Sequence, residues 1–305
     1  MNTAPLAFIT GASSGIGQAL AWRYHQAAYR LALVARRSAE TADWARGKAM
    51  APERWQVYAA DVADSDSIVA AGQACIAGQG LPDVVIANAG ISVGVDTAVR
   101  EDLEVLARTY ATNNIGLAAT FHPFVAAMRA RGSGRLVGIA SVAGIRGMPG
   151  HGAYCASKAA VISYCESLRG ELHGSGVKVV TIAPGYIDTP LTRNNPYGMP
   201  FLMQADDFAD AAFHATAQQE EFDPCGDAPG GGQARRSPFR IDTQKMGQGP
   251  GGEISEDAGQ RHAHDGKPKR STRVPQGVVG GRIKTTYGRS HQTDRRAGEN
   301  SPHES

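Results

Sequence analysis

The last third of this 305-residue chain lacks leucine, since all thirteen leucines lie between Leu6 and Leu202. Residues 219–305 contain 15 glycines and 7 prolines, and their few large apolar residues follow neither the period of a strand nor that of a helix. Such a segment cannot bury enough apolar surface to offset the entropy lost on ordering. The sequence therefore predicts one folded part, residues 1–218, followed by a disordered, low-complexity tail, residues 219–305.

Cysteines are few, and long apolar runs are absent. Cys75, Cys155, Cys165 and Cys225 form no C-x-x-C pair and no spacing with histidine that suits zinc, so we expect reduced thiols and no metal site. No run of apolar residues is long enough to span a bilayer, and "MNTAPLAFITGASSG" lacks the basic segment and apolar core of an export signal. The sequence predicts a cytoplasmic protein.

The charges are balanced, with a net charge of +2 that gives no reason to expect nucleic acid as a partner. The basic stretch "GKPKRSTR", residues 266–273, could contact phosphates, but its surroundings hold nearly as many acidic groups. We therefore expect no nucleic-acid partner.

Short apolar runs alternate with segments of helical pattern in the folded part. The runs expected as strands are residues 6–10, 31–35, 55–60, 83–87, 135–140 and 178–183. The expected helices are residues 16–26, 65–77, 101–131, 153–173 and 206–218. Each run is uniformly apolar and rich in Val, Ile or Ala, which suits a strand covered on both faces. The alternation predicts an α/β fold with a doubly wound parallel sheet and a ligand site at the carboxyl ends of its strands.

The turn "TGASSGIG", residues 10–17, follows the first expected strand and opens the first expected helix. There, Gly11 permits a tight turn, Gly15 lets the backbone approach a diphosphate, and Gly17 brings helix and strand close together. The amino end of the helix adds unpaired N–H groups and a positive dipole. Glycine and serine also build ordinary loops, but the strand–turn–helix order favours a dinucleotide site.

Tyr154 and Lys158 place a phenol and an amine one helical turn apart. A free phenol has a pKa near 10. An ammonium group within about 4 to 6 Å favours the phenolate, as does a positively charged cofactor ring, so we expect the pKa of Tyr154 to be lowered, which would suit a general acid or base. Ser141 lies thirteen residues before Tyr154, at the end of a strand that points into the same crevice.

Further motifs follow in a fixed order. They are Asp61-Val62 after the third expected strand, "NAG" at 88–90 after the fourth, "NNIG" at 113–116, Ser141 after the fifth, the Tyr154/Lys158 pair, and "PGYIDT" at 184–189 after the sixth. With the G-x-x-x-G-x-G spacing of the first turn, the ordered set resembles the short-chain dehydrogenase/reductase family over about residues 4–203. The resemblance implies a Rossmann fold and an oxidoreductase that transfers a hydride between nicotinamide and a carbonyl or secondary alcohol.

The resemblance also implies four catalytic residues. Tyr154 would be the general acid or base, Ser141 would hydrogen-bond the substrate oxygen, and Lys158 would bind the ribose hydroxyls of the nicotinamide half. Asn113 would hold a water molecule that passes protons to Lys158. The neighbouring Asn114 makes this assignment ambiguous by one residue, although the spacing to Gly116 favours Asn113.

The cofactor site implied by the resemblance is larger. Asp61 and Val62 would flank the adenine, Asn88 would steady the cofactor strand, and Ile187 and Thr189 would hold the nicotinamide carboxamide. The full expected set is Gly11, Ser13, Ser14, Gly15, Ile16, Gly17, Arg36, Arg37, Asp61, Val62, Asn88, Ala89, Gly90, Tyr154, Lys158, Pro184, Gly185, Ile187 and Thr189.

The tip of the second expected strand indicates which nicotinamide cofactor is used. Enzymes that select NAD usually place a carboxylate there, whereas this strand ends in Arg36 and Arg37. Guanidinium groups suit a 2′-phosphate through bidentate, charge-assisted hydrogen bonds, which favours NADP(H) over NAD. The alternative is that both arginines are ordinary solvated surface residues.

Residues 194–203, "NNPYGMPFLM", occupy the place of the family's substrate lid. The apolar members Pro196, Tyr197, Met199, Phe201 and Leu202 would wall a site for a bulky hydrophobic substrate, or they would simply pack onto the sheet.

Three other residues near the motifs carry chemistry. His151 could act as a second base, but a histidine that lines the pocket or is solvated is the simpler interpretation. Cys155 and Cys165 are expected to be inert and to face the helix packing.

The family pattern breaks off after residue 218, because no later stretch has the pattern of the seventh strand that completes the family's sheet. Loss of leucine with a rise in Gly, Pro and Arg is what out-of-frame translation of a GC-rich gene produces, so we hypothesise that the tail is a frameshift product. Translation of the gene's other two frames beyond codon 218 tests this hypothesis, which fails if neither frame encodes a helix and an apolar strand. A missing strand would expose a sheet edge. A homo-oligomer is therefore possible but in doubt. The alternative function is that of a non-catalytic or destabilised nucleotide-binding relative.

Overall fold

The computed structural model describes residues 4–193 and 198–218. The predictions about the tail, including its disorder, the missing seventh strand and the basic stretch at 266–273, lie outside the described residues. So do Pro196, Tyr197 and Cys225.

Six parallel strands form one sheet in the order β3-β2-β1-β4-β5-β6. They are β1 Leu6–Thr10, β2 Arg30–Ala35, β3 Trp55–Ala59, β4 Val84–Ala87, β5 Gly134–Ile139 and β6 Val177–Ile182. The strand order reverses beside β1, which pairs with β2 on one side and β4 on the other. The structure therefore confirms the doubly wound parallel sheet, and it locates the crevice expected at such a switch point between β1 and β4.

Helices cover both faces of the sheet. They are α1 Gly15–Gln26, α2 Ser38–Gly47, α3 Ser65–Gln79, α4 Asp102–Tyr110, α5 Gly116–Arg131, α6 Gly152–Glu171 and α7 Ala205–Gln218. One apolar core joins α1, α2 and α7 to the sheet and includes Leu20, Tyr24 and Phe208. The other core joins α3, α5 and α6 to the opposite face and includes Phe124 and Val161.

The structure departs from the predicted elements in three places. The predicted helix 101–131 is divided by a π-helical turn, Ala111–Ile115. Helix α2 was not predicted, because it buries only Thr41 and Ala45 and so shows little apolar periodicity. Strand β3 lies at the sheet edge, and it is less buried than the prediction of a strand covered on both faces requires.

A small parallel ribbon lies apart from the main sheet. Its strands are β7 Ile187–Asp188 and β8 Met203–Gln204, in which Ile187 pairs with Met203 and Asp188 with Gln204. Two-residue strands have no period that a sequence can reveal. The ribbon brings together both ends of the segment that contains the predicted substrate lid.

Candidate active site

A cleft of about 740 Å³ opens at the carboxyl ends of the strands. This volume falls within the usual range of small-molecule sites. The walls come from the turns after β1 to β6 and from helices α1, α4 and α6. The cleft thus occupies the place where the strand order predicts a ligand.

The glycine turn forms one wall of the cleft through very close packing. Gly15 has φ +53°, a left-handed conformation that favours glycine. A Cβ on Gly17 would overlap the carbonyl oxygen of Gly11, so only glycine fits there. These contacts bring the first turn of α1 directly against the end of β1.

The amino end of α1 is open to an anion. Ser14 is its N-cap residue and makes no side-chain capping hydrogen bond, whereas Asp64 caps α3 through the N–H groups of Asp66 and Ser67. Uncapped N–H groups and the positive end of a helix dipole suit a phosphate group. The cradle formed by Gly15 and Gly17 therefore fits the diphosphate of a dinucleotide.

Thr10, which was not among the predicted site residues, ties the "NAG" turn to β1. Its Oγ1 accepts hydrogen bonds from the backbone N–H groups of Asn88, at 3.1 Å, and Ala89, at 3.2 Å. The side-chain amide of Asn88 in turn donates to the carbonyl oxygen of Thr10 at 3.0 Å. Asn88 thus steadies the strand ends that border the cleft.

Two arginines stand at the rim of the cleft beside the glycine turn. Arg37 donates to Oγ of Ser13 at 3.2 Å and lies 3.3 Å from the carboxylate of Glu40. Arg36 lies 3.7 Å from the carboxylate of Asp61. Both arginine side chains are more than half exposed, so these contacts leave them accessible to a ligand.

Ser141 and Tyr154 meet inside the cleft. The Ser141 hydroxyl oxygen accepts from the N–H of Ala143 at 3.1 Å, which holds it in the turn after β5. Burial raises the pKa of the Tyr154 phenol, and a hydrogen bond with Ser141 lowers it in part. The expected lowering of this pKa does not occur in the chain alone, because burial outweighs the interactions that favour the phenolate. The lowering by Lys158 together with a positive nicotinamide ring stays a prediction.

Lys158 is buried beneath the tyrosine. Its Nζ donates to the carbonyl oxygen of Ile139 at 2.7 Å and lies 5.8 Å from the centre of the Tyr154 ring. Burial lowers the pKa of Lys158 to about 8, and the nearby Cys165 thiol opposes that shift. At pH 7 this amine is mostly protonated, and it loses its proton more readily than an ordinary lysine does.

Asn113 lies behind the cleft and is only 1% exposed. Its Oδ1 accepts from the N–H of Ile91 at 2.9 Å, while Nδ2 donates to the carbonyl oxygen of Ile91 at 3.0 Å and to Oγ of Ser157 at 2.9 Å. Both hydrogens of the amide are therefore used within the protein. Its predicted role in holding a water molecule stays a prediction, and the amide N–H groups have no hydrogen to spare for it.

The neighbouring Asn114 makes a different contact, in which its Nδ2 donates to the carbonyl oxygen of Ser157 at 2.8 Å. Asn113 and Asn114 therefore both attach to Ser157, one through its side chain and the other through its backbone. The prediction that one asparagine takes the family position did not anticipate this shared partner.

All the residues expected to bind cofactor line the cleft, and so does Ser141; Asn113 does not. Their individual roles stay predictions. The lining residues that were missed are Val34, Ala35, Ala60, Ala63, Ile91, Val93, Arg108, Thr112, Ile139, Ala140, Pro190, Leu191 and Thr192. Most adjoin a predicted motif in sequence, whereas Arg108 on α4 and Thr112 in the π-helical turn do not.

His151 does not line the cleft, and its Nδ1 lies 3.2 Å from the carbonyl oxygen of Pro149. Cys155 and Cys165 are buried, free thiols, as expected for inert residues of the helix packing.

In the described part of the expected lid, Phe201 does not pack onto the sheet. It is 98% exposed and has φ +59°, an unusual conformation for a bulky residue. Met203, by contrast, packs in part against the core.

Among residues 4–193 and 198–218, no helix has both the length and the apolar character that a membrane crossing requires.

Comparison with known proteins identifies the family to which this chain belongs. Residues 5–198 match the family described as short chain dehydrogenase. An uncharacterized oxidoreductase from Myxococcus xanthus is 38% identical over 204 residues, which are 66% of this chain and 79% of that protein. A Dehydrogenase/reductase SDR family protein 7-like from Anopheles gambiae is 37% identical over 191 residues, 61% of this chain and 60% of the relative. The matched part thus spans about three-fifths of the length of that insect protein.

A solved structure has the same fold. The 3-ketoacyl-(acyl-carrier-protein) reductase from Brucella melitensis, complexed with NADH, aligns with a TM-score of 0.64 and 27% identity over 70% of this chain and 91% of that one. Sequence, sheet order and cleft agree, and this chain belongs to the short chain dehydrogenase family of oxidoreductases.

Proposed function

We propose that the protein is an NADP(H)-dependent oxidoreductase that interconverts a ketone and a secondary alcohol. The observation that carries this proposal is the meeting of Ser141, Tyr154 and the buried Lys158 in one cleft with the uncapped amino end of α1. An anion cradle and a proton donor in the same cleft are the two parts that hydride transfer to a carbonyl requires. In this proposal, residues 1–218 carry the whole site.

The bound nicotinamide would supply or accept the hydride. Ser141 would orient the carbonyl by a hydrogen bond to its oxygen, and Tyr154 would donate a proton to that oxygen as the carbonyl carbon is reduced. Lys158 would hydrogen-bond the ribose hydroxyls of the nicotinamide half. A phenol whose pKa is raised by burial carries its proton at pH 7, which suits reduction.

This protonation state predicts how each direction depends on pH. Reduction uses the protonated phenol, which predominates below the raised pKa of Tyr154, so loss of this proton should not slow reduction between pH 6 and 9. Oxidation needs the phenolate, whose fraction grows up to about tenfold per pH unit below the pKa, so the rate of alcohol oxidation should rise across the same range. Initial rates in both directions, in buffers of constant ionic strength, measure this. An oxidation rate that stays flat or falls as the pH rises contradicts the proposed base.

The choice of NADP(H) is supported by the position of Arg37 rather than by relatives. The Brucella melitensis reductase is complexed with NADH, so the cofactor of this chain must be inferred from its own residues. Arg37 and Ser13 already share a hydrogen bond at the rim of the cradle, where a 2′-phosphate could accept from both. A carboxylate that would repel this phosphate is absent from residues 35–38, at the end of β2.

Replacing Arg37 with Ala should therefore raise KM for NADPH by about 10- to 100-fold, because a charge-assisted hydrogen bond to phosphate is lost. KM for NADH should change little, since NADH has no 2′-phosphate. Arg46→Ala is the matched control, because Arg46 is also an exposed arginine of this region but pairs with Asp43 on α2 away from the cleft. Equal changes in KM for both cofactors in Arg37→Ala would refute the phosphate contact.

The substrate is proposed to be a hydrophobic ketone or alcohol. Ile91, Val93 and Leu191 line the cleft, and the exposed Phe201 and Leu202 stand in the segment that follows it. NADPH oxidation against a panel of ketones of increasing size, with Tyr154→Phe as reference, tests the proposal. Turnover by the unaltered chain that is no faster than by Tyr154→Phe, for every ketone, would favour the non-catalytic nucleotide-binding relative instead.

A further inference from the structure

Ser157 lies between the tyrosine and the lysine in "YCASK" and has no exposed surface. Its hydroxyl donates to the backbone carbonyl oxygen of Tyr154 at 2.8 Å and accepts from Nδ2 of Asn113 at 2.9 Å. A single hydroxyl group thus joins the first turn of α6 to the π-helical turn Ala111–Ile115.

The contacts around Asn113 leave one orientation for its amide. Oδ1 accepts from the N–H of Ile91, and the two hydrogens of Nδ2 are divided between Ile91 and Ser157. A flipped amide would turn Nδ2 toward the N–H of Ile91 and set two donors against each other. Ser157 therefore completes a set of hydrogen bonds that fixes the amide beside the turn that bears Gly90.

That turn lies close to the amine of Lys158. A Cβ on Gly90 would lie 3.3 Å from Oδ1 of Asn113 and 3.5 Å from Nζ of Lys158. Displacement of the Asn113 amide would therefore disturb the packing beside Lys158.

An ordinary helix contact does not account for this arrangement. Buried hydroxyls elsewhere in the chain also donate to a carbonyl one turn earlier, as Thr120 does to Gly116 at 2.7 Å. Ser157 differs because it also accepts a hydrogen bond from a second element, and its own carbonyl oxygen accepts another from Asn114 at 2.8 Å. Both bonds run from the π-helical turn to this one residue.

We propose that Ser157 is a positioning residue, which holds α6 against the π-helical turn so that Tyr154 and Lys158 stay aligned with the cleft. This inference rests on the proposed oxidoreductase function. Without the Ser157 hydroxyl, α6 loses one of the two hydrogen bonds that join this residue to the π-helical turn, and the phenol is held less firmly at its angle to a bound carbonyl. Small errors of this kind can cost about 100-fold in rate.

Kinetics provide the first test. Ser157→Ala should lower kcat for ketone reduction by about 10- to 100-fold while KM for NADPH stays within about twofold, because the cradle around α1 is untouched. Ser157→Thr keeps the hydroxyl and should recover most of the lost kcat. Thr120→Val, which removes a buried hydroxyl of the same local type, should leave kcat near that of the unaltered chain.

A double variant separates this role from a general effect on packing. If Ser157 acts through Asn113, Asn113→Ala with Ser157→Ala should be no slower than Asn113→Ala alone. Independent losses that multiply in the double variant would overturn the inference, as would an unchanged kcat in Ser157→Ala. Circular dichroism of each variant checks that the chain is folded. If Ser157→Ala does not fold, the comparison of Ser157→Thr with the unaltered chain still tests the role of the hydroxyl.

A second readout does not depend on turnover. With asparagine labelled by ¹⁵N, the side-chain amide hydrogens of Asn113 can be identified by their loss in Asn113→Ala. In the unaltered chain both hydrogens should exchange slowly with solvent, and in Ser157→Ala at least one should exchange about tenfold faster or more. An unchanged exchange rate would overturn the bridge. Absence of turnover in the unaltered chain would instead refute the proposed function, and the exchange rate alone would then decide the bridge.

Discussion

Replacing Tyr154 with Phe is expected to lower kcat for ketone reduction by about 10² to 10⁴, the usual contribution of a positioned acid or base. The change removes one hydroxyl and keeps the ring, so packing in the cleft is preserved. Ser141 and Lys158 remain, but neither takes the place of the phenol in the proposal. NADPH should still bind, because the glycine turn and the amino end of α1, which would hold its diphosphate, are unaltered. Single-turnover absorbance at 340 nm measures the chemical step, and NADPH fluorescence measures binding.

Tyr164 offers a control on the same helix. It is 39% exposed and lies outside the cleft, so Tyr164→Phe removes a phenol hydroxyl without touching the site. We expect Tyr164→Phe to keep the full rate. If Tyr154→Phe reduces ketones as fast as Tyr164→Phe does, Tyr154 is not the proton donor, and another group in the cleft must carry the proton.

Replacing Lys158 with Met is expected to abolish most turnover and, at the same time, to stabilise the fold at pH 7. Burial lowers the pKa of Lys158 from 10.5 to about 8, which means that the folded chain holds this charge at a cost. Met has a similar length and needs no hydration, but the hydrogen bond to the carbonyl oxygen of Ile139 is lost. We expect the free energy of unfolding to rise by about 1 to 3 kcal/mol, and the melting temperature by about 3 to 10 °C.

The size of this stabilisation depends on pH. Below pH 8 Lys158 is charged in both the folded and the unfolded chain, so the full cost of burial is present. Between pH 8 and 10.5 the unfolded chain binds more protons at this residue than the folded chain does, and its contribution to stability rises with pH. The advantage of Lys158→Met should therefore shrink from pH 7 to pH 10. Urea unfolding of both chains at the two pH values measures the difference.

Lys178 is the matched control, since it is an exposed lysine on β6. Lys178→Met should change neither the rate nor the difference in stability between the two pH values. A Lys158→Met chain that is less stable than the unaltered chain at pH 7 would show that the amine stabilises the fold through its hydrogen bond. In that case Lys158 would serve catalysis without destabilising the fold.

The sheet could be predicted because its information is local. The runs at 6–10 and 84–87 are short and apolar, and parallel strands buried on both faces show that pattern wherever they occur. The glycine turn was predictable for a related reason, because a backbone contact such as that between Gly17 and Gly11 excludes every larger residue. Where steric contacts restrict which residue fits at a position, the sequence alone predicts the local structure.

The chemistry of the site was harder to predict because it depends on distant contacts. The pKa of Tyr154 follows from how much of the chain buries the phenol, and the spacing to Lys158 says nothing about that. The partners of Asn113 lie 22 and 44 residues away, at Ile91 and Ser157, in segments with no pattern that links them. The sequence placed these residues in one site and left their hydrogen bonds undetermined.

The small ribbon of β7 and β8 has a consequence for how this protein could acquire new substrates. Ile187 pairs with Met203 and Asp188 with Gln204, so the ribbon holds together the two ends of the segment that joins β7 to β8. Residues 193–202 can therefore be exchanged for a segment of another length or composition, while the ribbon and the cleft-lining residues 189–192 are kept. If the proposed oxidoreductase function holds, a library of segments grafted at this point should alter substrate preference while Ser141, Tyr154 and Lys158 stay unchanged.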